Sequence, residues 1–163
     1  MCLEFLAELV PALRPRAFLD LGTGSGVLAL AAAALGAREV LGVDPCPRAV
    51  STARANSRRN GLEKAIRVVR GTAACLRGSF PLLAANLPFA VLCAEAGSLS
   101  RLAGPVATLV LSGFREVQEA ELLTRFRPAG WRLTARRARD DWPLVLPPED
   151  SFTWVAWILR RPG

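Results

Sequence analysis

The chain contains no histidine and no tyrosine. Any general base must then be Asp, Glu, Lys, Cys or water. Its four cysteines, Cys2, Cys46, Cys75 and Cys93, are scattered and never form a C-x-x-C pair. With no histidine to complete a ligand set, no metal site is expected. Reduced, mostly packed cysteines in a cytoplasmic protein are the expectation. No apolar run approaches the roughly 20 residues that cross a bilayer. Met1-Cys2-Leu3-Glu4 offers no basic n-region, so neither a signal peptide nor a membrane partner is expected. Internal repeats and interdomain linkers are missing as well, and 163 residues suit one domain spanning 1–163.

What is present is apolar and basic. Hydrophobic residues make up 52% of the chain, which excludes a disordered polymer. The net charge is +7, carried almost wholly by arginine. Such a surface favours RNA or an acidic partner. An arginine-rich composition from a GC-rich genome gives the same number, since Ala, Arg, Gly and Pro are abundant throughout.

The stretch from Phe18 to Leu30 organises the rest. A short apolar run ends in Gly22-Thr23-Gly24-Ser25-Gly26, and an Ala/Leu-rich helical pattern follows. That is a strand, a tight turn and a helix N-terminus. Alternating glycines permit positive φ and let a ligand approach the backbone, and the helix start aims free N–H groups at it. Asp20 stands just before the loop. A second apolar strand, Glu39 to Val43, ends in Asp44. A carboxylate at the tip of the second strand is placed to hold the hydroxyls of a nucleotide ribose.

Along the chain, Leu3, Leu6, Val10 and Leu13 share one helical face, closed by Pro11 and Pro15. Strands are expected at 17–21, 39–44, 66–70, 81–86, 106–111, 131–139 and 152–159. Helices are expected at about 26–35, capped by Gly36, and from Pro47 to Asn60-Gly61. Another carries the stripe Leu92, Ala96, Leu99 and Ala103. A last one runs from Glu116 to Phe126 with Val117, Ala120 and Leu123 inward. Residues 71–79 receive no assignment, and Ser112-Gly113 is read as a strand end. Strands and helices alternate, so the fold class is α/β, doubly wound, with a mostly parallel seven-stranded sheet. The connection 139–151 has no helical pattern, so the last two strands form a C-terminal antiparallel hairpin. The arginine-studded 131–139 is the edge strand and the apolar 152–159 the central one. The connection carries Trp142, Leu144, Val145 and Leu146 among prolines. It either packs on the sheet edge or forms a partial lid over the ligand side.

Leu19-Asp20-Leu21-Gly22-Thr23-Gly24-Ser25-Gly26-Val27-Leu28-Ala29 resembles the first motif of class I S-adenosylmethionine-dependent methyltransferases. Gly42-Val43-Asp44 with Pro47-x-Ala49-Val50 resembles the second. Within that class the chain is most similar to the catalytic domain of ribosomal protein L11 methyltransferases, through Cys2-Leu3-Glu4, Ala85-Asn86-Leu87, Leu109-Val110-Leu111-Ser112-Gly113-Phe114 and Gln118. The resemblance implies a Rossmann-like domain using S-adenosylmethionine. Asp20, Gly22, Thr23, Gly24, Ser25, Gly26, Asp44, Thr72 and Asn86 would contact that cofactor, Asp44 through the ribose. Asn86, Leu87, Pro88 and Phe89 would form the catalytic turn beside an acceptor amino nitrogen. The implied partner is a protein, ribosomal in these relatives, or RNA.

The residues support these roles in their own right. Methyl transfer is an in-line displacement, so positioning dominates catalysis. The Asn86 side-chain oxygen and the Leu87 carbonyl are suited to accept the N–H bonds of an amine. Pro88 stiffens the turn without adding a donor, and Phe89 offers a ring to a cationic centre. An ordinary Asn-containing turn is the plainer alternative.

Asn86-Leu87-Pro88-Phe89 also resembles the Asn-Pro-Pro-Phe/Tyr motif of methyltransferases acting on nucleobase amino groups or on glutamine, with Leu87 replacing the first proline. Three features depart from the L11 pattern. The sequence opens at the catalytic part, so no recognition domain is expected, Gly71-Thr72 stands where an acidic residue is usual, and Cys46 removes a helix N-cap. A nicotinamide-binding domain is disfavoured by Asp20 and by a third glycine that comes one residue early for G-x-G-x-x-G. A non-catalytic descendant of the methyltransferase fold stays open as a reading.

Overall fold

The computed structural model describes residues 1–140 and 152–162. The connection that carries Trp142, Leu144, Val145 and Leu146 lies outside the described residues. The chain runs α1 (Cys2–Leu13), β1 (Ala17–Leu21), α2 (Val27–Ala34), β2 (Glu39–Asp44), α3 (Pro47–Arg59), β3 (Ile66–Arg70), β4 (Phe80–Asn86), α4 (Phe89–Leu102), β5 (Ala103–Arg115), α5 (Glu119–Phe126), β6 (Arg132–Asp140) and β7 (Thr153–Arg161). The seven strands form one sheet in the order β3-β2-β1-β4-β5-β7-β6. β1 to β5 pair in parallel, while β7 lies antiparallel between β5 and β6. The strand assigned last is central, and the arginine-rich strand is the edge, as the side-chain pattern requires.

Side chains alternate between the two faces with the period of two that a pleated strand imposes. Leu19, Leu83, Leu109, Leu111, Trp157 and Leu159 enter the core under α4 and α5. Phe18, Leu82, Ala84, Val110, Ala156 and Ile158 enter the core under α1, α2 and α3. A sheet buried on both faces explains the continuous apolar runs in β4, β5 and β7. Its parallel strands end together on one rim, where the loops after β1, β2, β3, β4 and β5 meet.

Local chemistry explains most boundaries. Gly36, at φ 104°, closes α2 in a Schellman motif: its N–H donates to Ala33 O at 3.1 Å, and Ala37 N–H donates to Ala32 O at 3.0 Å. Pro47 starts α3, and the Cys46 side chain makes no capping bond. Pro11 does not end α1; it sits inside the last turn, and Arg14 in a left-handed conformation stops the helix.

Three expectations are corrected. Ala103 opens β5 instead of closing α4, whose buried stripe ends at Leu102. β5 does not stop at Ser112-Gly113; it continues to Arg115 through a register shift between Ser112 and Phe114. Glu116–Gln118 is a turn of 3-10 helix, so the phase of the following α-helix rotates. Leu122 and Phe126 face the core, while Val117 and Ala120 are exposed. The cysteines also differ from expectation, since Cys46 and Cys75 are exposed and only Cys2 is buried.

Candidate active site

β1 leads directly into the glycine loop. The loop is sewn to the neighbouring strand: Gly22 N–H and Thr23 N–H both donate to Val43 O, at 2.8 and 3.0 Å. Gly24 and Gly26 hold φ of 55° and 86°, which a side chain would resist. Gly26 also brings α2 against α3, since a Cβ there would lie 3.1 Å from Ala53 Cβ.

Asp20 is buried beneath this loop, 1% exposed. Its Oδ2 accepts the Thr23 hydroxyl at 2.7 Å and the Ala29 N–H at 3.1 Å. Asp20 and Thr23 therefore shape the loop from below with their side chains; it is the loop backbone that faces outward. Burial pushes the Asp20 carboxyl up from its ordinary 3.8 to about 6, against the pull of the Thr23 and Ala29 bonds, with the Asp44 charge adding to the rise. Between those two values the unfolded chain releases a proton that the folded chain keeps. Stability therefore falls as pH rises through that window, by on the order of 3 kcal/mol. Asp20→Asn keeps an acceptor for Thr23 and Ala29 and removes the titration. Urea unfolding at intervals from pH 4 to pH 7 is expected to show the downward slope in the parent chain and a flatter profile in Asp20→Asn. Equal slopes would place the effect elsewhere.

Asp44 ends β2 half-buried beside the loop. Its Oδ2 accepts Gly24 N–H at 3.0 Å and its Oδ1 accepts Cys46 N–H at 2.9 Å. Both oxygens keep lone pairs for further donors. The carboxylate thus ties the glycine loop to the start of α3. Ser25 is exposed, and its carbonyl is braced by Asn56 Nδ2 at 2.9 Å. Thr72 is exposed in extended conformation after β3, where Gly71 N–H donates to Asp44 O at 3.0 Å. The carboxyl rim thereby brings the outward backbone of the glycine loop, Asp44 and Thr72 to one side of the sheet.

β4 delivers Asn86 to the same rim. Asn86 is exposed, and its side-chain amide has no hydrogen-bond partner among the described residues. Pro88 caps α4 at φ −54°, and Phe89 starts that helix half-buried against the core. Asn86, Leu87, Pro88 and Phe89 line a cavity of about 630 Å³, together with Met1, Ser112, Gly113, Arg115, Gln118 and Trp154. Arg115 leans over the Phe152 and Trp154 rings at 5.1 and 5.7 Å. Gln118 accepts the Arg115 N–H at 2.8 Å, closing the turn after β5.

Leu87 joins the two halves of the site. Its side chain covers Gly22, where a Cβ would collide with it. Its backbone lies on Gly113, whose Cβ would stand 2.7 Å from the Leu87 carbonyl carbon and 2.9 Å from its nitrogen. Leu87 N–H donates to Ser112 O at 3.1 Å. Gly113 holds φ 97° at the bulge of β5. Sequence patterning does not place Gly113, Met1, Arg115 or Trp154 at the site that they line. A glycine inside a strand pattern marks a bulge or a close backbone approach, and that signal was available at Gly113.

A sequence model of the family described as "Ribosomal protein L11 methyltransferase (PrmA)" matches residues 1–146. The chain belongs to the ribosomal protein L11 methyltransferase family. It is similar to the ribosomal protein L11 methyltransferase of Geobacter sulfurreducens, at 38% identity over 146 residues, covering 90% of this chain and 47% of that protein. The same name belongs to a protein of Sorangium cellulosum that is 37% identical over 169 residues, covering 98% of this chain and 53% of that one. The chain spans about half the length of these curated relatives. The crystal structure of ribosomal protein L11 methylase from Lactobacillus delbrueckii subsp. bulgaricus shares the fold, with a TM-score of 0.80 at 23% identity over 97% of this chain and 78% of that one. Among the described residues, no helix is long and apolar enough to cross a membrane.

Proposed function

We propose that this chain is the catalytic domain of an S-adenosylmethionine-dependent methyltransferase that modifies an amino nitrogen of a protein, a ribosomal protein such as L11 by the naming of its relatives. One observation carries the reading: Leu87 touches the glycine loop with its side chain and Gly113 with its backbone, so a donor groove and an acceptor cavity share one wall. The residues fit the cofactor. The backbone at Gly24 leaves room for a close-lying ligand, while Leu87 covers Gly22 and Ala53 packs on Gly26; Asp44 offers acceptors to ribose hydroxyls, and Thr72 offers a hydroxyl. When bound, S-adenosylmethionine supplies an electrophilic methyl group.

The remaining work belongs to the chain. The Asn86 amide oxygen accepts an N–H of the acceptor and turns the nitrogen lone pair toward the groove. A lone pair so aligned gains the benefit of orientation that dominates displacement reactions. Pro88 fixes the turn and adds no competing N–H. Phe89 walls the cavity, and desolvation there favours the neutral form of an amine. No histidine is available to take the proton, which leaves to water.

Asn86→Ala is expected to lower turnover about 100-fold, within the range seen when one positioned polar group is removed from an active site. Cofactor affinity should stay within about twofold, since the loss falls on the transition state. Transfer of labelled methyl groups to purified L11, run beside transfer to ribosomal RNA, measures both rate and acceptor. Label in RNA but not in protein would move the assignment to the Asn-Pro-Pro-Phe/Tyr type of enzyme. An undiminished rate in Asn86→Ala would remove that residue from the mechanism.

A further inference from the structure

Charge pairing changes along β6. Toward the carboxyl end of β6, arginines are matched by acids: Arg136 pairs with Glu116 and Glu119, Arg137 with Glu4 and Glu8, and Arg139 with Glu4. The opposite rim, where the parallel strands begin, is different. Arg16 and Arg38 stand at the entries to β1 and β2, Arg127 and Arg132 before and at the start of β6, and Arg160 and Arg161 at the end of β7. Among the described residues, no carboxylate forms an ion pair with any of these six. Arg70 and Arg115, at the ends of β3 and β5, also lack an ion pair among the described residues; what sets the opposite rim apart is that Arg127, Arg132, Arg160 and Arg161 converge on two adjoining recesses.

Two recesses lie side by side on this rim. One, of about 530 Å³, is lined by Arg127, Arg132 and Arg161. The other, of about 360 Å³, has Leu13 and Val106 in its wall beside Arg132, Arg160 and Arg161. Both share Arg132, Arg161 and Pro162. Leu13 and Val106 are large apolar side chains left 45% and 67% exposed. Arg161 is held in place, its guanidinium over the Trp131 ring at 4.8 Å and its Nη2 donating to Ser100 O at 3.0 Å, while its buried Nε has no partner among the described residues.

We propose that this rim binds single-stranded RNA, with the backbone phosphates on the guanidiniums of the first recess and a base against Leu13, Val106 and Pro162 in the second. Guanidinium groups match phosphate oxygens in pairs and are weakly hydrated, so they suit this role better than ammonium groups. An apolar recess beside a cationic one repeats the chemistry of a nucleotide, whose flat base and charged phosphate are neighbours. An acidic peptide satisfies the guanidiniums and leaves the apolar recess unused. The rim lies across the sheet from the glycine loop, so RNA held there leaves the acceptor cavity open.

The test is fluorescence anisotropy with a labelled, mixed-sequence RNA of about 12 nucleotides, within the usual single-strand site size, titrated at several salt concentrations. R127Q/R132Q/R160Q removes three exposed charges and spares Arg161. R48Q/R70Q/R139Q removes three charges from the opposite rim as the matched control, and R160E is a second, single-site variant. The rim triple should weaken binding about tenfold or more at 0.1 M salt and reduce the slope of log K against log salt by about 2, at roughly 0.7 per phosphate contact. The control should stay near the parent, and R160E should move in the direction of the rim triple. Equal losses in both triples, no salt-dependent binding to the parent chain, or equal binding of a polyglutamate peptide would each overturn the proposal. S-adenosylmethionine titration of the two rim variants tests the methyl-transfer reading by itself, because the rim and the glycine-loop side share no residue.

Discussion

Asp44→Ala is expected to abolish measurable cofactor affinity at ordinary protein concentrations. Two losses combine. Ribose hydroxyls lose a charged acceptor, at about 1.5–3 kcal/mol for each bond to a charged group. The loop also loses its anchor, because the same carboxylate holds Gly24 N–H at 3.0 Å and Cys46 N–H at 2.9 Å. A groove that must be re-formed on binding is paid for out of the affinity. Together these correspond to roughly 100-fold to 10,000-fold in Kd. Asp44→Asn separates the contributions, since its side-chain oxygen still accepts one backbone N–H while the charge is gone. An intermediate affinity in Asp44→Asn by calorimetry supports the double role. Affinity equal to the parent in Asp44→Ala would take the residue out of the site.

Gly113→Ala is expected to cost about 2–6 kcal/mol of stability, although it adds one methyl group. The backbone sits at φ 97°, where an L side chain is strained by about 1–3 kcal/mol. The new Cβ would also press on Leu87, with the carbonyl carbon at 2.7 Å and the nitrogen at 2.9 Å. Backbone cannot rotate away as a side chain can, so an overpacking cost of about 1–3 kcal/mol is added. The Asn86–Phe89 turn should shift with Leu87, and turnover should fall with it. Urea unfolding measures the first effect and methyl transfer the second. A change below about 1 kcal/mol with normal turnover would show that the bulge in β5 does not position the turn.

Local signals made the cofactor side legible in the sequence. A glycine loop between an apolar strand and a helix is a short-range pattern, and Asp44 follows from the end of the next strand. β6 and β7 were legible because exposure dictates composition: arginines on the edge, unbroken apolar residues in the centre. Long-range geometry was not. That Gly113 serves Leu87 depends on a contact between two parallel strands and on a bulge in one of them. That Asp20 is an internal brace depends on where Thr23 and Ala29 return to it. Of the residues expected inward near α5, Leu123 packs against the core while Val117 and Ala120 do not, because a single turn of 3-10 helix rotates the phase before the α-helix begins. The pairing of Arg137 and Arg139 with Glu4 joins residues more than a hundred positions apart, which no local pattern announces.

Methyl transfer by this chain requires a site for S-adenosylmethionine at the glycine loop. Calorimetric titration of the purified chain with S-adenosylmethionine, and separately with NAD, tests this most directly. The account predicts one saturable site for S-adenosylmethionine, competed by S-adenosylhomocysteine, and no heat of binding with NAD. Binding of NAD, or of neither ligand, would contradict it.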